Sequence, residues 1–141
     1  MYELFDHTAD IGLRIRGGDL NELFSEAARA LFSVIVANLD VVKPVEQKAF
    51  EIDGGDEDDE DYENLLHDWL TELLYTFHVE HRVFSQFEVH IAADKLTATA
   101  GGERIDETRH ELDAEIKAIT YHGLKVEKQD HGWLAEVIID I

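Results

Sequence analysis

The spacing of apolar residues most constrains the fold, because it changes from a helical period in the first half of the chain to a period of two in the second. Apolar residues recur at steps of three and four over residues 20–35 and again over residues 61–80. Such steps place apolar side chains along one face of a helix. From Val83 onward, apolar and polar residues alternate as they do in half-buried strands. The chain therefore predicts an α+β fold, a single domain over residues 1–141 in which a largely antiparallel β-sheet is covered by two long amphipathic helices.

Local signals predict where these elements begin and end. Asp19 is expected to cap the first helix, and Glu22, three residues further on, completes a capping-box pattern. A turn at residues 129–132, between two alternating stretches, is typical of a β-hairpin. We expect Gly101 and Gly102 to end a strand pair that turns at residues 93–95. Strands are predicted at residues 2–4, 11–16, 45–52, 87–91, 96–100, 115–121, 124–128 and 133–139.

The net charge excludes one class of function and favours others. Aspartate and glutamate number 32 against 12 lysines and arginines, which gives a formal net charge of -20. Because phosphate backbones would repel such a chain, direct binding to a nucleic-acid duplex is not expected. The charge fits divalent cations, a basic protein partner or a high-salt cytoplasm, and does not choose among them. Hydrophobic residues make up 45% of the chain, which indicates a folded protein and not a disordered acidic tail.

Cysteine content and hydropathy further limit the kinds of site and the cellular location that the chain can have. The chain has no cysteine, which excludes disulfides, thiolate metal sites and a cysteine nucleophile. No apolar run approaches the roughly 18 residues of a membrane span, and no signal-peptide pattern precedes the first predicted strand. We therefore expect no membrane partner and a cytoplasmic location.

A polar stretch near the start of the chain is the first candidate site. Residues 6–12 bring two carboxylates, Asp6 and Asp10, close to the imidazole of His7. Gly12 follows, at a point where the backbone must bend or be approached closely. A polar stretch between two strands is a common position for functional residues. The alternative is a capped turn, in which Asp6 and Thr8 hydrogen-bond nearby main-chain N–H groups.

Two positions near the end of the chain complete the candidate site. Lys117 lies in a predicted strand with apolar neighbours, where a lysine is expected to snorkel along the sheet or to pair with an acid. The sequence ends with Asp140 and Ile141, which place a side-chain carboxylate beside the α-carboxylate. Together with Asp10, and with His7 close by, these groups would offer the hard oxygen ligands that divalent cations prefer. The spacing alone does not show that Asp10 and Asp140 meet in the fold.

Other acidic and histidine clusters are interpreted structurally. Residues 53–61 are rich in aspartate and glutamate, but they lack the glycine position and flanking helices of an EF-hand, so we interpret them as a solvated loop. His78 and His81 have the spacing of two metal ligands on a helix, but no third ligand is evident nearby. We interpret these two residues and His67 as surface histidines on or near the second helix.

Three motifs, in order along the chain, resemble the archease family. They are HTADIG at residues 7–12, EIKAITYH at residues 115–122 and IIDI at residues 138–141. Each motif is short, but the three occur together at these distances in a chain of this length. The similarity covers the whole chain, including the two helices. The acidic loop at residues 53–61 is longer and more charged than the family pattern.

The resemblance implies an accessory protein and not a stand-alone enzyme. Archeases activate the RtcB-type RNA ligase of tRNA splicing, promote its guanylylation and multiple turnover, and broaden its nucleotide use beyond GTP. The ligase would therefore be the protein partner, and tRNA would be reached only indirectly through it.

The resemblance also implies roles for individual residues. Asp10 and Asp140 would bind a divalent cation together with an oxygen of Ile141, with Ca²⁺ as the first choice and Mg²⁺ or Mn²⁺ as alternatives. Asp10, Lys117 and Asp140 would be required for ligase activation. Two neighbouring residues would support the site without binding the cation: His7 and Glu115.

Two other functions remain open at this stage. A small metal-dependent hydrolase would use Asp10, Asp140 and His7, but no general base or oxyanion donor is evident beside them. A chaperone-like module that binds unfolded chains would need spare apolar surface, whereas the helical stripes are expected to be used by the core.

The charge leads to a first prediction, which concerns RNA. Because binding to nucleic acid depends on cationic contacts with phosphates, we expect no measurable binding of tRNA halves by the protein alone at physiological salt. A gel-shift titration at several salt concentrations measures this, and a tight, salt-sensitive shift would contradict an indirect role in RNA processing.

Overall fold

The computed structural model describes residues 1–7, 10–53, 62–92 and 95–141, with only the backbone of His7. These residues form two long helices, one short 3-10 helix at Leu39–Val41, and strands that pair antiparallel throughout. The helices are α1 (Leu20–Ile35) and α2 (Tyr62–Glu80), and the strands are β1 (Tyr2–His7), β2 (Asp10–Gly17), β3 (Glu46–Asp53), β4 (Arg82–Ala92), β5 (Lys95–Arg104), β6 (Ala118–Ile119), β7 (Lys125–Gln129) and β8 (Gly132–Asp140).

The strands divide into two sheets. The first has the order β1-β2-β8-β6, and β7 pairs with β8 on the same side as β6. The second has the order β3-β5-β4. Helix α1 contacts β2 of the first sheet and β4 of the second, so the core lies between the helices and both sheets. The α+β class and the antiparallel pairing are confirmed, and the structure adds that the predicted sheet is split in two.

Helix α1 begins as its sequence predicts. The Asp19 carboxylate accepts a hydrogen bond of 2.8 Å from the main-chain N–H of Glu22, which satisfies one of the free donors of the first turn. The Glu22 carboxylate accepts in return from the N–H of Gly18 at 3.1 Å. The apolar face of α1 packs into the core, where Phe24 and Phe32 are fully buried.

Helix α2 is fixed to α1 by its central tryptophan. Trp69 is fully buried, and its indole N–H donates to the main-chain oxygen of Phe24 at 3.1 Å. The ring packs edge-on against Phe50 of β3, with centroids 5.5 Å apart. A buried indole N–H needs a hydrogen-bond acceptor. This bond therefore fixes the rotation of α2 about its axis as well as its distance from α1.

The glycine pair at residues 101–102 does not end a strand as predicted, since both residues lie inside β5. The pairing register of β4 with β5 shifts between Phe84 and Gln86, and the main chain approaches closely there. A Cβ atom on Gly102 would lie 1.9 Å from the main-chain oxygen of Val83. Gly102 therefore allows the close approach of two strands at a β-bulge, and glycine is typical of bulges as well as of turns.

The strand predicted at residues 115–121 is also shorter than expected. Only Ala118 and Ile119 form regular pairs with β8, although Ile116 is buried as the alternation predicts. The segment lies at the edge of the sheet, and two of its main-chain oxygens face side chains of α2 instead of another strand. For this reason, few residues of the segment form regular strand pairs.

Several sequence predictions concern residues outside the described ranges. They are the turn at Thr8 and Ala9, the acidic loop from residue 54 to residue 61, and the turn at Ala93 and Asp94. Among the described ranges, no helix is long and apolar enough to cross a membrane.

A buried polar cluster ties the end of β5 to the segment after α1. Glu103 is only 8% exposed and accepts hydrogen bonds from the Arg109 guanidinium and from the main-chain N–H of Lys43. The Arg109 hydrogen bond is the main reason why the pKa of Glu103 lies below its ordinary value. The imidazole of His110 is fully buried, and its Nε2 lies 3.4 Å from Glu103 Oε1. Arg109 also donates to the main-chain oxygen of Val41 at 3.1 Å.

This cluster leads to a prediction about acid stability. A lowered pKa means that ionised Glu103 stabilises the fold at neutral pH, and that this contribution is lost as the pH falls through the lowered pKa. Glu103→Gln should therefore lower the free energy of unfolding by about 1–3 kcal/mol at neutral pH, and by less in acid. Urea unfolding at neutral and acidic pH measures both values. Glu107→Gln, at an exposed position in the same segment, is the control. An equal loss at both pH values would contradict the role of the charge.

Candidate functional site

Two aspartates from opposite ends of the chain meet in the first sheet. In the pairing of β2 with β8, Asp10 is directly opposite Asp140, and in the pairing of β6 with β8, Ala118 is directly opposite Asp140. Directly opposite residues project from the same face, with Cβ atoms about 4.5–5.5 Å apart. We call Asp10, Asp140 and Ala118 the aspartate row. Both aspartates are half-buried, and the small Ala118 leaves the side of Asp140 away from Asp10 open.

The apolar alternation of the two central strands produces this row. Leu13 and Ile15 of β2, and Val137 and Ile139 of β8, are fully buried under the helices. Side chains one residue away project from the opposite face. Asp10 and Asp140 lie at the adjoining ends of these strands, where the sheet leaves the core.

Phe5 covers the sheet beside the aspartate row, and the sequence reasoning missed it. Gly12 is directly opposite Phe5 of β1 and Ile138 of β8. A Cβ atom on Gly12 would lie 2.2 Å from the Phe5 ring, so only glycine lets the ring lie on the main chain. Gly12 was expected to permit a close approach, and that expectation was the available signal. The Arg14 guanidinium lies over the Phe5 ring, 4.8 Å from the ring centroid.

The charged residues beside Phe5 on this sheet form a separate ion-pair network. Arg14 donates to the Glu136 carboxylate at 3.1 Å and approaches Glu3 at 3.5 Å. The Glu136 hydrogen bond is the main cause of the raised pKa of Arg14. Glu3 also accepts from Arg16 at 3.0 Å, and this bond is the main reason why the pKa of Glu3 is lowered. The guanidinium of Arg14 is thus held by glutamates on the side of Phe5 that is away from the aspartate row.

Lys117 is joined to the aspartate row through its main chain. Its N–H donates to the main-chain oxygen of Asp140 at 2.8 Å. Its side chain is exposed, and within the described part of the chain its ammonium lies within 4.0 Å of no carboxylate. Lys117 therefore stands at the edge of the row with its side chain exposed, and of the two predicted alternatives, pairing with an acid is not observed within those residues.

The remaining predicted site residues take different positions. Ile141 follows Asp140 directly and is 38% exposed. Glu115 is exposed on the segment that carries Lys117. The backbone of His7 is directly opposite Asp10, but its side chain lies outside the described residues. Ile141 therefore adjoins the aspartate row, and Lys117 lies at the edge of the row.

The donors that the described residues bring to the row suit a hard cation. Asp10 and Asp140 supply two carboxylates, and Ile141 adds main-chain oxygen, which are donors that Ca²⁺, Mg²⁺ and Mn²⁺ accept. Among the described residues, no three side chains of histidine, aspartate or glutamate are close enough to hold a metal ion together. Because Ca²⁺ takes six to eight oxygen ligands, Asp10, Asp140 and Ile141 would fill only part of its shell.

Of the three histidines interpreted as surface residues, His78 and His81 are exposed as predicted, whereas His67 is half-buried. His67 Nε2 lies 2.9 Å from the main-chain oxygen of Ile119, and the His67 ring stacks on Tyr121. His78 Nε2 lies 3.1 Å from the main-chain oxygen of Ile116. His81 is exposed and follows α2 with a φ of 55°, the left-handed conformation that commonly ends a helix.

Comparison with known proteins gives a consistent result along the whole chain. A profile described as the archease protein family (MTH1598/TM1083) matches residues 2–141. The protein archease of Pyrococcus abyssi is 44% identical over 145 residues, which cover 99% of this chain and 98% of that protein.

Two solved structures share the fold over almost their full length. Protein 1598 of Methanobacterium thermoautotrophicum is 40% identical, with a TM-score of 0.85, over 99% of this chain and 98% of that one. An archease of Thermotoga maritima, described as a possible chaperone, is 25% identical, with a TM-score of 0.68, over 100% and 98% of the two chains. The chain belongs to the archease family.

Proposed function

We propose that this protein activates an RtcB-type tRNA-splicing RNA ligase as a cation-carrying accessory protein. It would promote guanylylation and multiple turnover of the ligase and broaden its nucleotide use. The observation that carries the proposal is the aspartate row, in which Asp10 and Asp140 are directly opposite each other beside Lys117. All three archease-like motifs of the sequence converge there.

A divalent cation fits the electrostatics of the row. Like charges that are directly opposite each other in a sheet destabilise it, and a shared cation removes that cost. When bound, the cation would neutralise anionic oxygens and polarise a phosphate presented to it. The residues that would hold it are Asp10, Asp140 and Ile141. These three residues would fill only part of the shell of a cation such as Ca²⁺, which takes six to eight oxygen ligands.

The charge of the chain favours a protein partner over RNA. A formal net charge of -20 opposes contact with phosphates but attracts a basic protein surface, and it speeds encounter with one. Lys117 provides a positive charge at the edge of this acidic surface. Its exposed ammonium can donate to a phosphate or carboxylate of the partner complex without first breaking an ion pair within the described residues.

A chaperone-like activity is the second candidate, because the Thermotoga maritima neighbour is described as a possible chaperone. The apolar faces of both helices are used by the core, as the sequence predicts. The large apolar residues that remain exposed include Val45, Tyr121 and a pair on α2, Tyr75 and Val79. Suppression of the aggregation of an unrelated client protein would favour this candidate over ligase activation.

The aspartate row leads to a prediction about cation binding. A cation that binds only the folded state at a hundredfold excess over its Kd adds about 2.7 kcal/mol to the free energy of unfolding. For a chain of this size, that corresponds to a rise in Tm of about 5–10 °C. Calorimetry with Ca²⁺, Mg²⁺ and Mn²⁺ measures the rise. Asp10→Asn and Asp140→Asn should abolish it and still fold, because each removes one of two opposed charges.

The control for cation binding is Asp130→Asn. Asp130 is exposed in the turn between β7 and β8, so this variant removes one negative charge from the surface and leaves the row intact. It should keep the full rise in Tm. If Asp140→Asn gains as much stability from Ca²⁺ or Mn²⁺ as the unmodified protein does, the shared site does not exist.

A further prediction concerns Lys117 and the ligase. In a guanylylation assay with the cognate ligase and labelled GTP, the protein should stimulate formation of the ligase–GMP adduct. Lys117→Ala should reduce this stimulation about tenfold or more, since hydrogen bonds to charged groups contribute about 1.5–3 kcal/mol. Its free energy of unfolding should change by less than about 0.5 kcal/mol, as is usual at an exposed position.

Lys128→Ala is the matched control, because Lys128 is an exposed lysine on β7 of the same sheet. It should activate the ligase fully. Full activation by a well-folded Lys117→Ala variant would show that Lys117 has no role. Adduct formation that is equal with and without the unmodified protein would contradict ligase activation itself. The same substrates incubated without ligase test the hydrolase alternative.

A further inference from the structure

The segment that carries Lys117 is held to β8 by few hydrogen bonds. The N–H of Lys117 donates to the oxygen of Asp140 at 2.8 Å, and the N–H and the hydroxyl of Thr120 both donate to the oxygen of Ile138, at 3.1 Å and 2.8 Å. Only two residues between them form regular strand pairs. An edge segment with so short a ladder needs other contacts to hold one conformation.

Helix α2 supplies those contacts from the opposite side. His67 Nε2 lies 2.9 Å from the main-chain oxygen of Ile119, and His78 Nε2 lies 3.1 Å from that of Ile116. Because a carbonyl oxygen only accepts, each imidazole must donate from Nε2. The two histidines are three helical turns apart and share one face of α2. The ring of Tyr121 stacks on His67 with centroids 3.9 Å apart.

Together, the hydrogen bonds to α2 and to β8 hold two peptide groups of the segment, each at its oxygen and at its N–H. The oxygen of Ile116 and the N–H of Lys117 belong to one peptide group, and they point in opposite directions because the group is planar and trans. His78 holds the oxygen, and Asp140 of β8 holds the N–H. The peptide group between Ile119 and Thr120 is held in the same way, by His67 and by Ile138.

We propose that His67 and His78 are positioning residues that hold Lys117 and Asp140 in register, a role that rests on the proposed function of the aspartate row. The two imidazoles, which we call the imidazole clamp, span the segment on either side of Lys117 and Ala118. They fix the direction in which the Lys117 side chain leaves the main chain. They also keep the edge peptide against the oxygen of Asp140, at the side of the row that Ala118 leaves open.

Hydrogen–deuterium exchange followed by NMR tests the clamp without the ligase. Removing a hydrogen bond from one end of a peptide group should loosen the other end, so His78→Ala should speed exchange of the Lys117 amide about five- to tenfold. His67→Ala should do the same for the Thr120 amide. Amides of β2, which pair with β8 and not with α2, should not change. Gln at either position keeps an N–H donor and should restore slow exchange.

Ligase activation is the second measurement. The His67→Ala/His78→Ala variant should lose most of the stimulation of guanylylation, and the corresponding glutamine variant should recover it. His90→Ala, an exposed histidine on β4 of the other sheet, is the control and should behave as the unmodified protein.

Three results separate the outcomes. Unchanged Lys117 and Thr120 exchange in the double alanine variant overturns the clamp, as does equal acceleration in every strand, which indicates general destabilisation. Faster local exchange with full activation overturns the positioning role while the proposed function stands. If the unmodified protein fails to activate the ligase, the proposed function fails and the positioning role with it, while the exchange data still decide whether the clamp holds the segment.

Discussion

The pairing of β2 with β8 is the interaction on which the rest of the structure depends. It joins the first and last parts of the chain over eight register pairs, from Asp10–Asp140 to Gly17–Trp133. One face of this ladder is apolar and fully buried, with Leu13 and Val137 near its centre. A slip of one residue would move these side chains to the solvent face and bring Asp140 toward the core. The hydrophobic core therefore fixes the register, and the register places the two aspartates together.

Other elements shape the site around this ladder. Phe5 covers Gly12 on the outer face, and the guanidinium of Arg14 lies over its ring. Helix α2 is anchored in the core through Trp69 and reaches the edge of the sheet with His67 and His78. The acidic groups therefore lie on a rigid sheet, and Lys117 lies on a segment fixed between that sheet and a helix. Such a site suits an accessory protein that presents a fixed charge pattern to a partner.

The parts of the fold that depend on local sequence could be predicted. Asp19 and Glu22 mark the start of α1, and the turn at residues 129–132 marks the hairpin, because capping and turn chemistry act over a few residues. Gly101 and Gly102 were misread because a glycine pair suits a bulge as well as a turn. The split into two sheets could not be predicted, since the choice of strand partners depends on the packing of the whole chain.

The candidate site could likewise be predicted only in part. The motifs identified Asp10, Lys117 and Asp140, but only long-range pairing shows that the aspartates are opposite each other. The contacts of His67 and His78 could not be predicted, because their partners are main-chain oxygens far away in sequence. No periodicity or spacing identifies a carbonyl acceptor. Phe5 gave only an indirect signal, through the glycine that it covers.

Paramagnetic broadening by Mn²⁺ tests the aspartate row most directly, because it locates a bound cation along an acidic chain that offers many carboxylates. In an NMR titration with substoichiometric Mn²⁺, the amide signals of Asp10, Ala118, Asp140 and Ile141 should weaken first and together. Broadening that begins instead at the acidic residues 53–61, and leaves Asp10 and Asp140 unchanged, would contradict a cation site formed by the pairing of β2 with β8.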